Sequence, residues 1–425
     1  MSPSPLWHPF TQHKTFGPAI PIARAQGAYL YPENGPPLLD GISSWWVNTH
    51  GHCHPKIVQA VQAQAETLDQ IIFAGFSHAP ARDLATKLLA RVRQSGGVKS
   101  DYVFLSDSGS TAVEVALKMA VGSFTHQGRP RTKILALEGG YHGDTFGAMS
   151  AGGRSVYNAL YEPFLFDVHA LPFPENEEGH HTIEALETYL QAHGHATAAF
   201  IFEPLIQGAG GMRLYAPALL KALCTLCEQY GIKLIADEVM TGFGRTGTFL
   251  ACEQAGVAPD LLCLSKGLTG GFLPLGATLA STEIYQAFYH DDKARQFFHS
   301  SSFTGNPLSC SAALANLEIW DTEPVFDRIA RIANTHKTAL HHFSAHPHVE
   351  NPRILGTILA LDFKTPDAGY LSGMASQLYS FMLARGFLLR PLGNTVYILP
   401  PYCITTQELE GLYDSLEIFL DEHRT

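Results

Sequence analysis

A lysine, two carboxylates, an aromatic ring and a glycine–hydroxyl turn each follow a short apolar run in this sequence. Lys266 comes after LLCLS (261–265) and leads into Gly267, Gly270 and Gly271, which let segments approach closely. Asp237 lies at the end of the run in IKLIADE (232–238), and Glu203 follows AAFIF. Gly139, Gly140, Tyr141 and His142 follow KILALE (133–138), and Asp107-Ser108-Gly109-Ser110-Thr111 follows YVFLS (102–106). Lysine is among the residues least often buried. Once desolvated it loses its proton more readily and becomes a nucleophile for carbonyl carbons. A carboxylate at the end of a buried strand needs a cation or hydrogen-bond donor. Asp237 therefore either serves a structural ion pair or holds a proton on a heteroaromatic nitrogen, as an aspartate does for a pyridine ring. The turn SDSGSTAVE opens a helix, with Thr111 and Glu114 at capping-box spacing. Its free backbone N–H groups and positive dipole end suit a phosphate. Together these residues point to pyridoxal phosphate (PLP) held as a Schiff base on Lys266.

The elements that must position these residues alternate. Between the apolar runs lie helical stretches such as STAVEVALKMAV and APALLKALCTLCEQY, so an α/β fold is expected, with a mostly parallel sheet covered on both faces. Ligands of such sheets bind outside the carboxyl ends of the strands, where the five features stand. Residues 1–50 mix Pro, Gly and short apolar runs and read as an arm; 51–306 read as the large domain. Residues 307–425 turn helical, then strand-like (ILGTILALDF, FLLRPL, TVYILPPY), and end in the helix TQELEGLYDSLEIFLDEH, a smaller α+β domain. The 425 residues are 46% hydrophobic and 16% charged, enough for a large core and against disorder. A formal net charge of −11 with no basic run argues against nucleic acid or an anionic membrane as partner. No secretion signal or membrane span is read, and seven scattered cysteines suggest reduced thiols and a cytoplasmic location.

LIADEVMTGFGRTGTFLACEQAGVAPDLLCLSKGLTGG resembles the signature of class III PLP-dependent aminotransferases, a long and specific match. The resemblance implies the PLP-dependent transferase fold of type I: a large domain with a mostly parallel, seven-stranded-type sheet, and a smaller α+β domain to which the N-terminal arm contributes. It also implies a homodimer with active sites at the subunit interface. WHPFTQ, ISSWWVNTHGH, GGYHGDTFGAMS, EPLIQGAGGM, FTGNPLSC and LLRPLGNTVYILPPY look like the branch of the family that aminates 8-amino-7-oxononanoate (KAPA) to 7,8-diaminononanoate (DAPA) in biotin synthesis. S-adenosylmethionine (SAM) is the usual amino donor there, and some members use lysine. Carried over by position, Lys266 would hold PLP covalently and shuttle the proton, and Asp237 would pair with the pyridine nitrogen. Gly109 and Ser110 would bind the phosphate, and Tyr141 would stack on the ring and touch substrate. Glu203, Val239 and Ser301 would lie by the cofactor, and Ser302 would reach the cofactor phosphate of the partner subunit. Phe10, Trp45, Trp46, Ser300 and Arg390 would bind substrate, Arg390 taking the KAPA carboxylate.

The residues support Arg390 and the tryptophans on their own terms. A planar guanidinium suits a carboxylate, and adjacent indoles make an apolar wall, although Trp46 could equally be core. Two departures leave the donor open between SAM and lysine: Phe10 stands where SAM-using members have tyrosine, and Ser300-Ser301-Ser302 where they have Gly-Pro-Thr. His50, His52 and His54 alternate at a metal-ligand spacing, but Pro55 favours a turn and no metal is expected. Cys224 and Cys227 read as helix residues rather than a redox pair. No G-x-G-x-x-G follows the first strand, which argues against a nicotinamide enzyme.

Overall fold

A computed structural model describes residues 5–96, 99–174, 178–366 and 368–422. The first four residues of the N-terminal arm and His423 of the last helix lie outside them. The large sheet has seven strands: β1 (Ser100–Ser106), β2 (Lys133–Leu137), β3 (His169–Leu171), β4 (Thr197–Phe202), β5 (Lys233–Asp237), β6 (Leu261–Leu264) and β7 (Gly276–Ser281). Their order is β1-β7-β6-β5-β4-β2-β3. Pairing is parallel from β6 through β3, and only β7 runs antiparallel to its neighbours.

Strands β4, β5, β6 and β7 are buried at every residue, so both faces are covered. Alternation decides which residue faces which layer. Ile134, Ala136, Ile201, Ile235, Leu261 and Cys263 face helix α1 (Gly109–His126), meeting its Ala112, Val113, Ala116 and Ala120. Their neighbours Leu135, Phe200, Leu234, Ala236, Leu262 and Leu264 face the opposite layer, which includes Leu220, Leu223, Cys224 and Cys227 of the helix Pro217–Gln229. The two cysteines are free thiols within that core.

The remaining chain forms smaller sheets. Strands Ile22–Gln26, Tyr29–Pro32 and Leu38–Asp40 join the late strand Phe387–Leu388 in one sheet. Val349–Leu355, Ile358–Phe363 and Thr395–Ile398 form another, packed with the helices Val325–Ser344 and Thr406–Glu422. Three elements differ from the sequence reading, the first being the short edge strand β3, whose three residues are too few to show a pattern. ILGTILALDF is not one strand: it turns at Gly356, whose φ of 57° is left-handed. Strand β7 was not anticipated, because GATLAS lacks the run of large apolar side chains of its neighbours. Its small residues are needed: a Cβ on Gly276 would run into the Ser108 carbonyl. Among the described residues, no helix is long and apolar enough to cross a membrane.

Candidate active site

The carboxyl ends of the strands converge on one cluster. Asp237 closes β5, Glu203 comes one residue after β4, His142 five after β2, and Lys266 two after β6. Lys266 has φ of 42°, a left-handed conformation costing a lysine about 1–2 kcal/mol. The surroundings impose it. Ser265 Oγ donates to the Leu275 carbonyl at 2.6 Å, and Leu268 N–H donates to the Ser265 carbonyl at 2.8 Å. The glycines that follow bring protein segments together: a Cβ on Gly267 would lie 2.8 Å from Phe243, and one on Gly271 would lie 2.6 Å from the Val47 carbonyl.

That approach carries Trp46 to the lysine. Its ring is 5% exposed and lies 4.9 Å from Lys266 Nζ. The turn bearing it is strained, with φ of 53°, 61° and 65° at Ser43, Ser44 and Trp46. Buried Asp40 holds the turn by accepting from Ser44 N–H at 2.6 Å and Ile42 N–H at 3.2 Å, with His52 at 2.9 Å. Arg245, 1% exposed, donates to the carbonyls of Asn48 at 2.8 Å and Pro400 at 2.9 Å. Burial moves the Lys266 amine below its ordinary pKa; Asp237 and Glu203 oppose this and Arg245 adds to it.

Asp237 accepts from Val239 N–H at 3.1 Å through one oxygen and meets His142 Nδ1 at 2.7 Å through the other. Burial alone would push the imidazole down. The hydrogen bond and charge of Asp237, with Glu203 behind them, outweigh it, and the His142 pKa rises. Glu203 accepts from the N–H groups of Tyr141 and Gly208, each at 3.0 Å. Burial pushes its carboxyl up to about 7, with His142 pulling down and Asp237 pushing up. The Tyr141 phenol is raised by burial first and then by Asp144.

The turn after β1 is capped differently from the sequence expectation. Ser108, not Thr111, is the N-cap: its hydroxyl accepts from Thr111 N–H at 3.2 Å, and Thr111 Oγ1 accepts from Ser108 N–H at 2.9 Å. Glu114 instead accepts from Gly147 at 2.8 Å and Ala148 at 3.2 Å, tying α1 to the start of the short helix Phe146–Ala151. Ser110 Oγ accepts from Asp144 N–H at 3.2 Å. A Cβ on Gly109 would lie 2.6 Å from Val239 Cγ1, so only glycine lets this helix end approach the segment after Asp237.

Phe10, Trp45 and Arg390 form a second group. Phe10 packs edge-on against Trp45 at 5.5 Å, and the Arg390 guanidinium stands 5.2 Å from the Trp45 ring. Arg390 also donates to the Phe10 carbonyl at 2.9 Å. Trp45 is 39% exposed, so the adjacent tryptophans part: one lies under the lysine, the other lines an open wall. Ser300, Ser301 and Ser302 form an exposed turn, with Ser301 N–H donating to Thr304 Oγ1 at 2.9 Å and the Ser302 carbonyl accepting from Gln70 at 2.8 Å. Within this chain the turn makes none of the hydrogen bonds of the Lys266 cluster. The three histidines diverge: His50 meets Asn316 at 2.8 Å, His52 meets Asp40, and His54 meets Glu323 at 3.3 Å.

His142, Asp40 and Arg245 went unassigned in the sequence reading. His142 had a signal, standing beside Tyr141 at a strand end. Asp40 and Arg245 are separated in the chain from what they hold.

The family model for class III aminotransferases matches residues 11–420. The chain belongs to that family. The adenosylmethionine-8-amino-7-oxononanoate aminotransferase of Synechococcus elongatus is 48% identical over 424 residues, 98% of each chain. Among solved structures, the aminotransferase of the same name from Methanocaldococcus jannaschii superposes with a TM-score of 0.91 at 33% identity, covering 97% of each chain. An amine transaminase from an uncultivated Pseudomonas species, in PLP-bound form, gives 0.91 at 32% identity over 99% of each chain. Class III aminotransferases depend on PLP, and the residues here fit it. A buried lysine amine, a carboxylate braced by a histidine, and a helix end narrowed to glycine all face one cluster.

Proposed function

We propose that this class III aminotransferase converts KAPA to DAPA in biotin synthesis, with PLP attached through Lys266. The observation that carries the acceptor is Arg390 against Trp45: a guanidinium at the end of an open aromatic wall fits an alkyl chain ending in a carboxylate. The name borne by the relatives agrees. When bound, PLP supplies an electron sink for the carbon that gains or loses a proton.

The chain's own residues do the rest. The Lys266 amine, less basic than usual, takes the proton from that carbon and returns it. Asp237 keeps a proton on the pyridine nitrogen, and His142 fixes the carboxylate in place. The N–H groups of Gly109 and Ser110 and the Ser110 hydroxyl would bind the phosphate at the start of α1. Val239 and Tyr141 would hold the ring, while Trp46, 4.9 Å from the Lys266 amine, would exclude water.

SAM is the proposed amino donor. Lysine is a second reading, favoured by Phe10, which brings no hydroxyl to the wall it shares with Trp45. We place the enzyme in the cytoplasm as a homodimer in which Ser300, Ser301 and Ser302 approach the partner's cofactor. Support for the dimer comes from Ile72, Phe76, Phe298 and Phe303, all more than half exposed, on segments tied together by Asn306 and Gln70. The test is a pair of half-reactions on PLP-loaded protein. SAM or lysine should remove the visible absorbance, and KAPA should restore it with DAPA formed. Restoration by simple ω-oxo acids and not by KAPA would replace this reading with an ω-amino acid or diamine transaminase.

A further inference from the structure

A cavity of about 420 Å³ opens beside Tyr141 and His142, and Lys266, Trp45 and Arg390 are not among its lining residues. Three phenol rings line it. Tyr157 meets Tyr141 at 6.4 Å and Tyr370 at 4.5 Å, both edge-on at 62°. Each edge contact covers one ring face of a pair, and all three rings line the cavity. The Phe10 ring, edge-on to Tyr157 at 6.0 Å and to Trp45 at 5.5 Å, stands between this cavity and the Arg390 wall.

The charges facing the cavity are unequal. Asp144 is an exposed carboxylate on its lining, engaged with the Tyr141 phenol. The cation Arg213 is already committed: it donates to the Glu138 carbonyl at 3.1 Å and to Gln207 at 2.7 Å, and stacks 4.1 Å from the Phe173 ring. His142 is engaged by Asp237. Aromatic faces beside a carboxylate attract a cation, above all a poorly hydrated one.

We propose that Tyr157, Tyr370 and Asp144 form a cation-accepting compartment for the far end of the amino donor, separated by Phe10 from the Arg390 wall that takes the acceptor's carboxylate. This deepens the aminotransferase reading and rests on it. It makes both donors intelligible: SAM presents a sulfonium and lysine an ammonium, whereas KAPA has a carboxylate at its far end. Tyr157 and Tyr370 are then specificity-determining residues of the donor half-reaction.

The test compares donors with and without the distal charge on PLP-loaded protein: lysine against norleucine, and SAM against methionine. In the unaltered enzyme the charged member of at least one pair should react with the higher kcat/KM. Tyr157→Leu should lower that charged-to-neutral ratio by about 5- to 30-fold, and Tyr157→Phe, which keeps the ring face, should retain most of it. Tetramethylammonium chloride should inhibit the donor half-reaction more than sodium chloride does, and Tyr157→Leu should relieve the excess. An unchanged ratio in Tyr157→Leu, or an equal fall for charged and neutral donors, overturns the compartment. Failure of KAPA to react in the unaltered enzyme would instead overturn the acceptor assignment, leaving the ratios and the tetramethylammonium comparison to decide the compartment.

Discussion

Replacing Asp237 with Asn removes one charge and little volume from the centre of the cluster. Asp237 Oδ2 lies 2.7 Å from His142 Nδ1 in a buried pair. The amide cannot hold a proton on a pyridine nitrogen as the carboxylate does, and it leaves the imidazole without its counter-charge. Losing one preorganised charged partner at a desolvated site costs about 3–4 kcal/mol in the transition state, or roughly 10²- to 10³-fold in rate. Single-turnover loss of the visible absorbance with saturating donor measures this directly. A second readout needs no turnover. In the native protein the His142 pKa is raised, so its stabilising contribution is full below the unfolded value of 6.5 and fades as pH rises through the folded value. In Asp237→Asn burial acts unopposed by that charge, so the ring should titrate below 6.5, and stability should instead fall as pH drops. Imidazole NMR signals followed against pH report the shift. A variant that keeps its rate within about 3-fold, or a His142 that titrates as in the native protein, would refute the reasoning.

Other outcomes follow from the same geometry. Lys266→Ala should lower steady-state turnover by about 10⁴-fold, since the proton carrier and covalent anchor go together; turnover within about 100-fold of the native rate, in a product assay by mass, would contradict it. Arg390→Met should raise KM for KAPA by about 10- to 100-fold through loss of a charge-assisted contact, with a smaller effect on kcat, read from initial rates. Glu203 has its carboxyl raised from 4.5 to about 7, so its contribution is full below pH 4.5 and is lost as pH rises through 7, roughly 3 kcal/mol in all. Glu203→Gln should lack that part of the slope in denaturant titrations run from pH 4.5 to 8. Phe303→Asp should shift the sedimenting species toward a monomer, because a charge replaces an exposed apolar side chain beside the serine turn.

Strand ends were the legible part of the site. Buried parallel strands must be apolar along their whole length, so LIAD and LLCL announced themselves, and the polar residue ending each run was marked by contrast. Strand β7 was not legible, because its selection was for smallness against Ser106 and Ser108 rather than for bulk. The helix cap was misassigned by three residues: Thr111 and Glu114 fit the Ser/Thr-x-x-Glu/Gln pattern, but Ser108 and Thr111 make the reciprocal bonds, and Glu114 is used by the helix that begins at Phe146.

By itself the sequence determined the alternation of strands and helices, the chemistry available at each strand end and the resemblance to class III aminotransferases. These depend on periodicity, residue type and contiguous motif, which are local. Tertiary structure alone decided that Trp46 rather than Trp45 lies under Lys266, that His142 braces Asp237, and that Asp40 and Arg245 hold the strained turn between them. Asp40 lies 226 residues before Lys266 in the chain, and Arg245 reaches the carbonyls of Asn48 and Pro400 on either side. Such contacts leave no periodic trace, because a buried polar group is selected for the donors and acceptors that folding brings to it, not for its neighbours in the chain.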